Sequence, residues 1–363
     1  MPKLVNIYQD RVRDVEIADP LGENDEIQPS EYRISSYGAD YPVQMLVNQL
    51  EDGDVFTPPF QRGYVWDVKT ASRFVESLLL GLPVPGIFLS LEAESQKYLI
   101  IDGQQRLKTL QYFYDGIFLP TNKKFELGGV QSEFRGKGFR DLLPQHKRRL
   151  SNSVVHATII RQESPTDDQS SVFHIFERLN TGGKQLAPQE IRSALFNGPL
   201  VDLLRELNEV PAWRAIYGPI SPQQRDIELI VRFLAFYFYR TSYAAPMKVF
   251  LNRFMGRNRA FQDQGSGDIR KAFVPTIEVI ADALGADAFR PSRALNAAVL
   301  DSVMDAIAQR ISSGERDDPI RIRRAYSKLL TDPEFIEGIS RATANEQRVK
   351  QRYGAAVRAF SEG

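Results

Sequence analysis

The sequence predicts an α+β protein, with a small sheet in a mixed N-terminal half followed by an all-α C-terminal half. Over about the first 200 residues, short runs rich in β-branched and aromatic residues alternate with amphipathic stretches of helical period. From about Ser221 the strand pattern disappears and only the helical period remains. We therefore expect an acidic N-terminal leader over residues 1–40, a mixed domain over 41–215 and a helical domain over 216–363.

The first half begins its regular structure with a well-marked helix, Asp67 to Leu80. Its apolar residues form one stripe, Asp67 can cap the start, and Gly81 can end it. The remaining elements follow the same reasoning from periodicity and turn residues. They are strands at 86–91 and 97–101, joined by a polar turn, a helix at 104–115 ending at Gly116, a strand at 154–160, a helix at 167–179 and a helix from about Pro188.

The second half reads as successive amphipathic helices. Ser221 and Pro222 form a favourable helix start, because serine can cap and proline suits the first helical position. The breaks between helices fall at glycine or proline. The predicted helices span 224–240, 246–258, 270–284, 292–312, 317–330 and 344–359.

Composition excludes several classes of protein. The 363 residues carry 46 basic and 46 acidic side chains, so a globally basic nucleic-acid coat protein is excluded. The absence of cysteine excludes disulfides, thiolate zinc sites, iron–sulfur clusters and a cysteine nucleophile.

No segment resembles a signal peptide or a membrane span. The N-terminus lacks an apolar h-region. The most apolar window, Ile227 to Tyr239, has 13 residues and includes Glu228 and Arg232. A spanning helix needs about 20 mostly apolar residues, so we expect a cytoplasmic protein without a membrane partner.

Charge is spread unevenly along the chain. Residues 1–31 have a net charge of −5, whereas 133–161 have +5 and 321–363 have +4. Clustered cations can contact the phosphates of DNA, although ordinary solvated surface explains them as well. The predicted DNA-binding residues are Lys147, Arg148, Arg149, Arg321, Arg323 and Arg324.

The run Asp102-Gly103-Gln104-Gln105-Arg106 holds more polar groups than a turn needs. A buried strand ends at Asp102 and a helix opens at Gln104, where backbone N–H groups and the helix dipole favour an anion. Gly103 lets a ligand approach the backbone, and Asp102 can hold a divalent metal or orient a water. The alternative is a plain turn with a capping aspartate.

Two further segments carry polar groups in unusual density. In Pro58 to Trp66, Gln61 and Arg62 are followed by Tyr64 and Trp66, which suits a phosphate plus a stacked base. The alternative there is a structural arginine that pairs with a carboxylate. In Phe176 to Leu186, a glycine loop containing Asn180, Gly182, Gly183 and Lys184 could cradle a phosphate or merely end a helix.

The loop is not an ordinary phosphate-binding motif. The sequence contains neither the G-x-x-x-x-G-K-[ST] pattern of a P-loop nor a G-x-G-x-x-G after a strand. Neither of the two common nucleotide-binding folds is therefore indicated.

Together and in this order, the three blocks resemble the N-terminal domain of GmrSD-type modification-dependent restriction proteins, a family related to the ParB and sulfiredoxin folds. The resemblance covers about residues 40–200 and rests most on the D-G-Q-Q-R block. It implies a ParB/sulfiredoxin-like domain that binds and often hydrolyses GTP or ATP with Mg²⁺, in bacterial defence against phage DNA. It implies catalytic roles for Asp102 (also the metal ligand), Gln105 and Arg106, and nucleotide binding by Gln61, Arg62, Tyr64, Gly103, Gln104, Thr109, Asn180, Gly182, Gly183 and Lys184.

The sequence departs from the family pattern in two places. Ala187 replaces the usual serine or threonine three residues before Glu190, which halves a reciprocal helix cap. Relatives often carry an HNH nuclease domain downstream, but the three histidines here all precede residue 200. DNA cutting would then need a separate nuclease subunit or a histidine-free site in the first half.

Three functions stay open at this stage. We favour an NTPase that acts with DNA or a partner, and an oligomer is compatible with this. The first alternative is a ParB-like nuclease subunit with Asp102 and Glu177 as metal carboxylates. The second is a non-catalytic DNA-binding or scaffold subunit.

Overall fold

The computed structural model describes residues 17, 33–57, 64–92, 95–164, 170–179, 186–315 and 318–361. They form two compact units. The mixed unit is built mainly from residues 33–186, and the helical unit mainly from residues 187–192 and 196–361. An α+β fold with a small N-terminal sheet and a helical second half is confirmed, whereas the ParB/sulfiredoxin-like fold stays a prediction.

The mixed unit is organised around a five-stranded sheet with strand order β1-β7-β3-β4-β2. The two strands predicted around a polar turn, β3 and β4, pair antiparallel, and β4 ends at Asp102. Apolar side chains of β3, β4 and β7 are buried, which places the sheet in the core of this unit. The strands are β1 (Arg33–Pro42), β2 (Val55–Phe56), β3 (Ile87–Leu91), β4 (Tyr98–Asp102) and β7 (Val154–Ser164), and a separate pair is formed by β5 (Ile117–Phe118) and β6 (Lys123–Lys124).

Two helices of the mixed unit have the boundaries that their local cap residues predict, whereas α1 (Val43–Glu51) and α4 (Pro144–Asn152) were not predicted. The Asp67 carboxylate accepts a hydrogen bond from the Thr70 N–H at 2.7 Å, and Gly81 ends the helix with φ of +74°. The helix after Asp102 ends at Gly116 with φ of +80°. The helices are α1 (Val43–Glu51), α2 (Val68–Leu80), α3 (Gln104–Asp115), α4 (Pro144–Asn152) and α5 (Ser170–Leu179).

Strand β1 lies partly inside the segment predicted as an acidic leader. It pairs antiparallel with β7 along its whole length, for example Tyr41 opposite Val155. Most of its residues are exposed, and β1 is an edge strand of the sheet. Only Tyr37, Ala39 and Tyr41 follow the alternation of a strand, and the serine and glycine residues around them make the pattern too weak to identify β1 from the sequence.

The helical unit confirms the all-α second half. α9 (Arg225–Tyr239) and α12 (Ala297–Ser312) contain the largest numbers of buried residues among its described helices. The Arg232 guanidinium of α9 donates to both carboxylate oxygens of Asp301 in α12. The helices of this half are α6 (Pro188–Leu195), α7 (Pro199–Asn208), α8 (Pro211–Tyr217), α9 (Arg225–Tyr239), α10 (Met247–Arg257), α11 (Ser266–Leu284), α12 (Ala297–Ser312), α13 (Pro319–Leu329), α14 (Pro333–Ser340) and α15 (Glu346–Ser361).

The starts of α9 and α6 can be compared with the caps that the sequence predicts. The N-cap residue of α9 is Gln224, not Ser221. The Ser221 hydroxyl nevertheless accepts from the N–H groups of Gln223 and of Arg225, the first residue of α9. At α6 the expected half cap is present, because the Glu190 carboxylate accepts from the Ala187 N–H at 2.7 Å. None of the helices in the described part of the chain combines the length and apolar character of a membrane span.

Candidate functional site

The candidate site is the corner where β4 passes into α3. Gly103 adopts φ of +99°, and an added Cβ would overlap Ile87 Cγ2, so both the backbone and the packing require glycine. The N-cap residue of α3 is Gly103, which has no side chain to cap the first turn. The first-turn N–H groups and the positive end of the helix dipole therefore face the corner, which suits an anion.

Two charged side chains stand at this corner. Arg106 Nη2 donates to Asp102 Oδ2 at 2.7 Å. The Asp102 side chain is 44% exposed and that of Arg106 is 16% exposed, so the corner is not sealed under other groups. Arg106 Nε is buried and has no hydrogen-bond partner among the described residues. An unsatisfied guanidinium N–H beside a helix start is a group that an anionic oxygen would satisfy.

Gln105 joins two of the blocks seen in the sequence. Its side-chain oxygen accepts from the N–H groups of Val65 at 2.9 Å and Trp66 at 3.3 Å. That oxygen, predicted to serve catalysis, is therefore already bonded to backbone. Gln104 is buried, with 8% of its surface exposed.

Tyr64 and Thr109, both predicted to bind nucleotide, contact each other. Their hydroxyl oxygens lie 2.6 Å apart, and the Thr109 hydroxyl also donates to the Gln105 carbonyl at 2.7 Å. Burial raises the pKa of Tyr64 to about 12, so its hydroxyl stays protonated. The Tyr64 ring packs edge-on against Tyr112 with centroids 5.0 Å apart. We call these bonds from Tyr64, Val65 and Trp66 to α3 the brace.

Lys108 is a candidate residue that the sequence analysis missed. It lies four residues after Gln104, so both occupy the same face of α3. Its side chain is half-buried, and burial lowers the pKa of its ammonium group. No carboxylate pairs with it in the described parts of the chain. The i, i+4 spacing from Gln104 is the signal that could have identified it.

Asp102 is the metal ligand that the resemblance implies. Within the described residues, no group of three or more His, Asp or Glu side chains could hold a metal ion. Asp102 is half-exposed, and only its Oδ2 receives a hydrogen bond from described residues. Mg²⁺ is often held by one or two carboxylates together with substrate phosphates, so this single carboxylate fits a magnesium–nucleotide complex. Glu177, the other carboxylate of the nuclease alternative, lies 3.6 Å from His174.

Part of the predicted site lies outside the described residues. This applies to polar residues of the segment from Pro58 to Trp66 and to the glycine loop of the segment from Phe176 to Leu186. They are Gln61, Arg62, Asn180, Gly182, Gly183 and Lys184.

The six predicted DNA-binding cations differ in their contacts. Arg149 donates to the Leu80 carbonyl at the end of α2 at 2.7 Å, and Arg323 donates to the Ala283 carbonyl near the end of α11. Lys147 donates to the Arg140 carbonyl at 2.7 Å. These three stabilise local structure. The others are Arg148 and Arg324, which are exposed, and Arg321, which is partly buried.

No curated protein matches the chain. Residues 43–197 match the family model of the GmrSD restriction endonuclease N-terminal domain, which confirms the resemblance expected from the three blocks and indicates a component of a restriction system acting on DNA.

Proposed function

We propose that the chain is an NTP-binding and NTP-hydrolysing component of a restriction system, and that the corner between β4 and α3 is its nucleotide site. One observation carries the proposal most strongly. An arginine whose buried Nε has no hydrogen-bond partner among the described residues stands beside a half-exposed carboxylate, at a helix start whose N-cap residue is a glycine. This combination of donors suits a polyphosphate with its divalent cation.

Each residue of the proposed site has its own role. Arg106 and Lys108 neutralise phosphate charge, and Arg106 can do so while Nη2 still contacts Asp102, because a guanidinium presents five donors. Gly103 allows phosphate oxygens to approach the first-turn N–H groups of α3. Asp102 would hold Mg²⁺, which when bound neutralises charge on the phosphates. Catalysis then rests on positioning and electrostatics.

The brace supports the same proposal from the neighbouring block. It fixes Val65 and Trp66 to α3 through Gln105. Gln61 and Arg62 precede Val65 by four and three residues, so we propose that they reach the same nucleotide. Asn180, Gly182, Gly183 and Lys184 complete the proposed phosphate contacts.

DNA contact is the second part of the proposal. The restriction-domain match supports it, and the exposed cations Arg148 and Arg324, with Arg321, are the proposed phosphate contacts. A separate nuclease subunit that cuts the DNA is the proposed partner.

Phosphate release from each of the four NTPs, with Mg²⁺ and with or without DNA, tests the nucleotide site. We expect turnover with at least one NTP and a rise in the melting temperature on binding. Arg106→Ala should abolish turnover, whereas Lys123→Ala, which removes an exposed cation of the same unit, should not. Absence of both turnover and a thermal shift for every NTP would overturn the proposal.

A plasmid-nicking assay with Mg²⁺ or Mn²⁺ separates the alternatives. Intact plasmid together with phosphate release supports an NTPase that relies on another subunit for cutting. The nuclease would instead be supported if the wild type nicks the plasmid without releasing phosphate. The variants Asp102→Asn and Glu177→Gln should then lose the nicking activity.

A further inference from the structure

The helical unit contains a cavity of about 570 Å³ that no part of the proposed function uses. One wall is the segment from Arg240 to Tyr243, directly after α9. The other is a single face of α15, on which residues recur every three or four positions from Glu346 to Arg358. The volume lies within the usual range of small-molecule sites, about 300–1,000 Å³.

The cavity is lined by more cations than anions. Arg240, Lys350 and Arg358 line it together with one carboxylate, that of Glu346. Lys350 is exposed and has no ion-pair partner in the described part of the chain. Arg240 pairs with Asp305 through one nitrogen and Arg358 pairs with Glu334 through one, so each guanidinium keeps donors for a ligand.

A buried tyrosine also forms part of the cavity wall. Tyr353 lines it, is only 3% exposed, and its hydroxyl has no hydrogen-bond partner among the described residues. The Arg240 guanidinium lies over the Tyr353 ring, 5.2 Å from its centroid. This stacking holds one of the three cations at the wall of the cavity.

Gly354 leaves open space in the wall of the cavity. It lies in the middle of α15, where glycine costs roughly 1 kcal/mol of stability relative to alanine. Within 4 Å, an added Cβ would meet only Arg358 Nη1, at 3.4 Å. Close packing with another helix therefore does not require this glycine, and a larger side chain would project into the cavity.

We propose that this cavity binds a phosphomonoester about the size of a mononucleotide. The three cations would contact the phosphate, and Val349, Val357 and the tyrosine rings would contact the body of the ligand. The source is either a free mononucleotide or the 5′-phosphorylated end of a DNA strand. The inference does not depend on the nucleotide site at the start of α3.

Isothermal titration of the full chain with thymidine 5′-monophosphate and with a 5′-phosphorylated DNA oligonucleotide tests the inference. Thymidine and the 5′-hydroxyl oligonucleotide are the matched ligands without a terminal phosphate. We expect the phosphorylated form of at least one pair to bind about tenfold more tightly, since charged hydrogen bonds contribute roughly 1.5–3 kcal/mol.

Matched variants locate the binding. Gly354→Leu should abolish it by filling the cavity, and Lys350→Ala should weaken it severalfold. Gly267→Leu and Lys271→Ala, an open helical glycine and an exposed lysine of α11, should leave it unchanged.

Two results would overturn the inference. One is the absence of a phosphate preference with both pairs of ligands. The other is binding that survives Gly354→Leu and Lys350→Ala, including binding that is lost only in Arg106→Ala, because the ligand would then occupy another site. Phosphate release by Gly354→Leu at the wild-type rate keeps this test separate from that of the proposed NTPase.

Discussion

At the scale of single residues, two separate constraints, backbone conformation and packing, require glycine at position 103. Its φ of +99° disfavours any side chain, and the approach of Ile87 leaves no room for a Cβ. We expect Gly103→Ala to lower the free energy of unfolding by roughly 2–4 kcal/mol, because both costs are incurred. Gly116→Ala is the matched control, since its φ is +80° but its Cβ would meet nothing within 4 Å. Urea unfolding measures both, and equal losses would contradict the steric argument.

The side-chain oxygen of Gln105 has a structural role, and its amide nitrogen is available to a ligand. Gln105→Glu keeps an acceptor for the Val65 and Trp66 N–H groups but removes the amide donors. If Gln105 acts on the nucleotide through its nitrogen, this variant should keep slow hydrogen exchange at the Val65 and Trp66 amides and lose most of its phosphate release. Gln105→Ala should lose both. Full turnover in Gln105→Glu would show that Gln105 acts only in the brace and not on the nucleotide.

At the scale of elements, adjacent arginines of α4 are predicted to have different functions. Arg149 donates to the Leu80 carbonyl at the end of α2, whereas Arg148 is exposed and is a proposed contact for DNA. We expect Arg149→Ala to lower the free energy of unfolding by about 1 kcal/mol. Arg148→Ala should leave stability unchanged and reduce the salt slope of DNA binding by about 0.9, the value for one phosphate contact. Urea unfolding and DNA titrations at several salt concentrations measure the two effects, and identical behaviour of the variants would refute the assignment.

Helices α2 and α3 were predictable because their boundaries depend on neighbouring residues. Asp67, Gly81 and Gly116 act within a turn of the helix they bound, so the sequence contains the whole signal. The edge strand β1 and the short helix α14 depend on pairing and packing with distant segments, and their own patterns are weak. The brace was unpredictable for the same reason, since it joins residues about 40 positions apart.

At the scale of the whole molecule, buried charge links stability to pH. Burial raises the pKa of Asp305 from its ordinary 3.8 to about 7, against the opposing effects of Arg240 and Gln309. Between these values the unfolded chain has released this proton and the folded protein retains it. The contribution of Asp305 to the free energy of unfolding therefore falls as pH rises through this interval, by up to about 1.4 kcal/mol per pH unit.

Asp305→Asn should remove this part of the pH dependence. Urea unfolding of the wild type and the variant across about pH 4 to 8 measures the difference between the two slopes. Asp282→Asn, at an exposed position of the same unit, is the control and should keep the wild-type slope. A variant slope equal to that of the wild type would show that Asp305 is ionised in the folded protein throughout this range.

The two candidate ligand sites differ in how far sequence could identify them. The corner of β4 and α3 lies within one run of five residues, so its carboxylate, glycine and arginine were visible together. The cavity of the helical unit combines Arg240 with a face of α15 more than 100 residues later. Only folding brings these residues together, and no local motif marks them.

Helix α6 has a practical consequence for dissecting the protein. The family match ends at residue 197, yet residues 187–192 pack with the helical unit. Arg192 is fully buried there and donates to Glu228 and Asn252. In a truncated chain that stops at residue 197, Arg192 would have neither acceptor. The unpaired cation and the apolar surface left exposed would favour aggregation. Expression and crystallisation trials would do better with boundaries drawn from packing than with those of the matched segment.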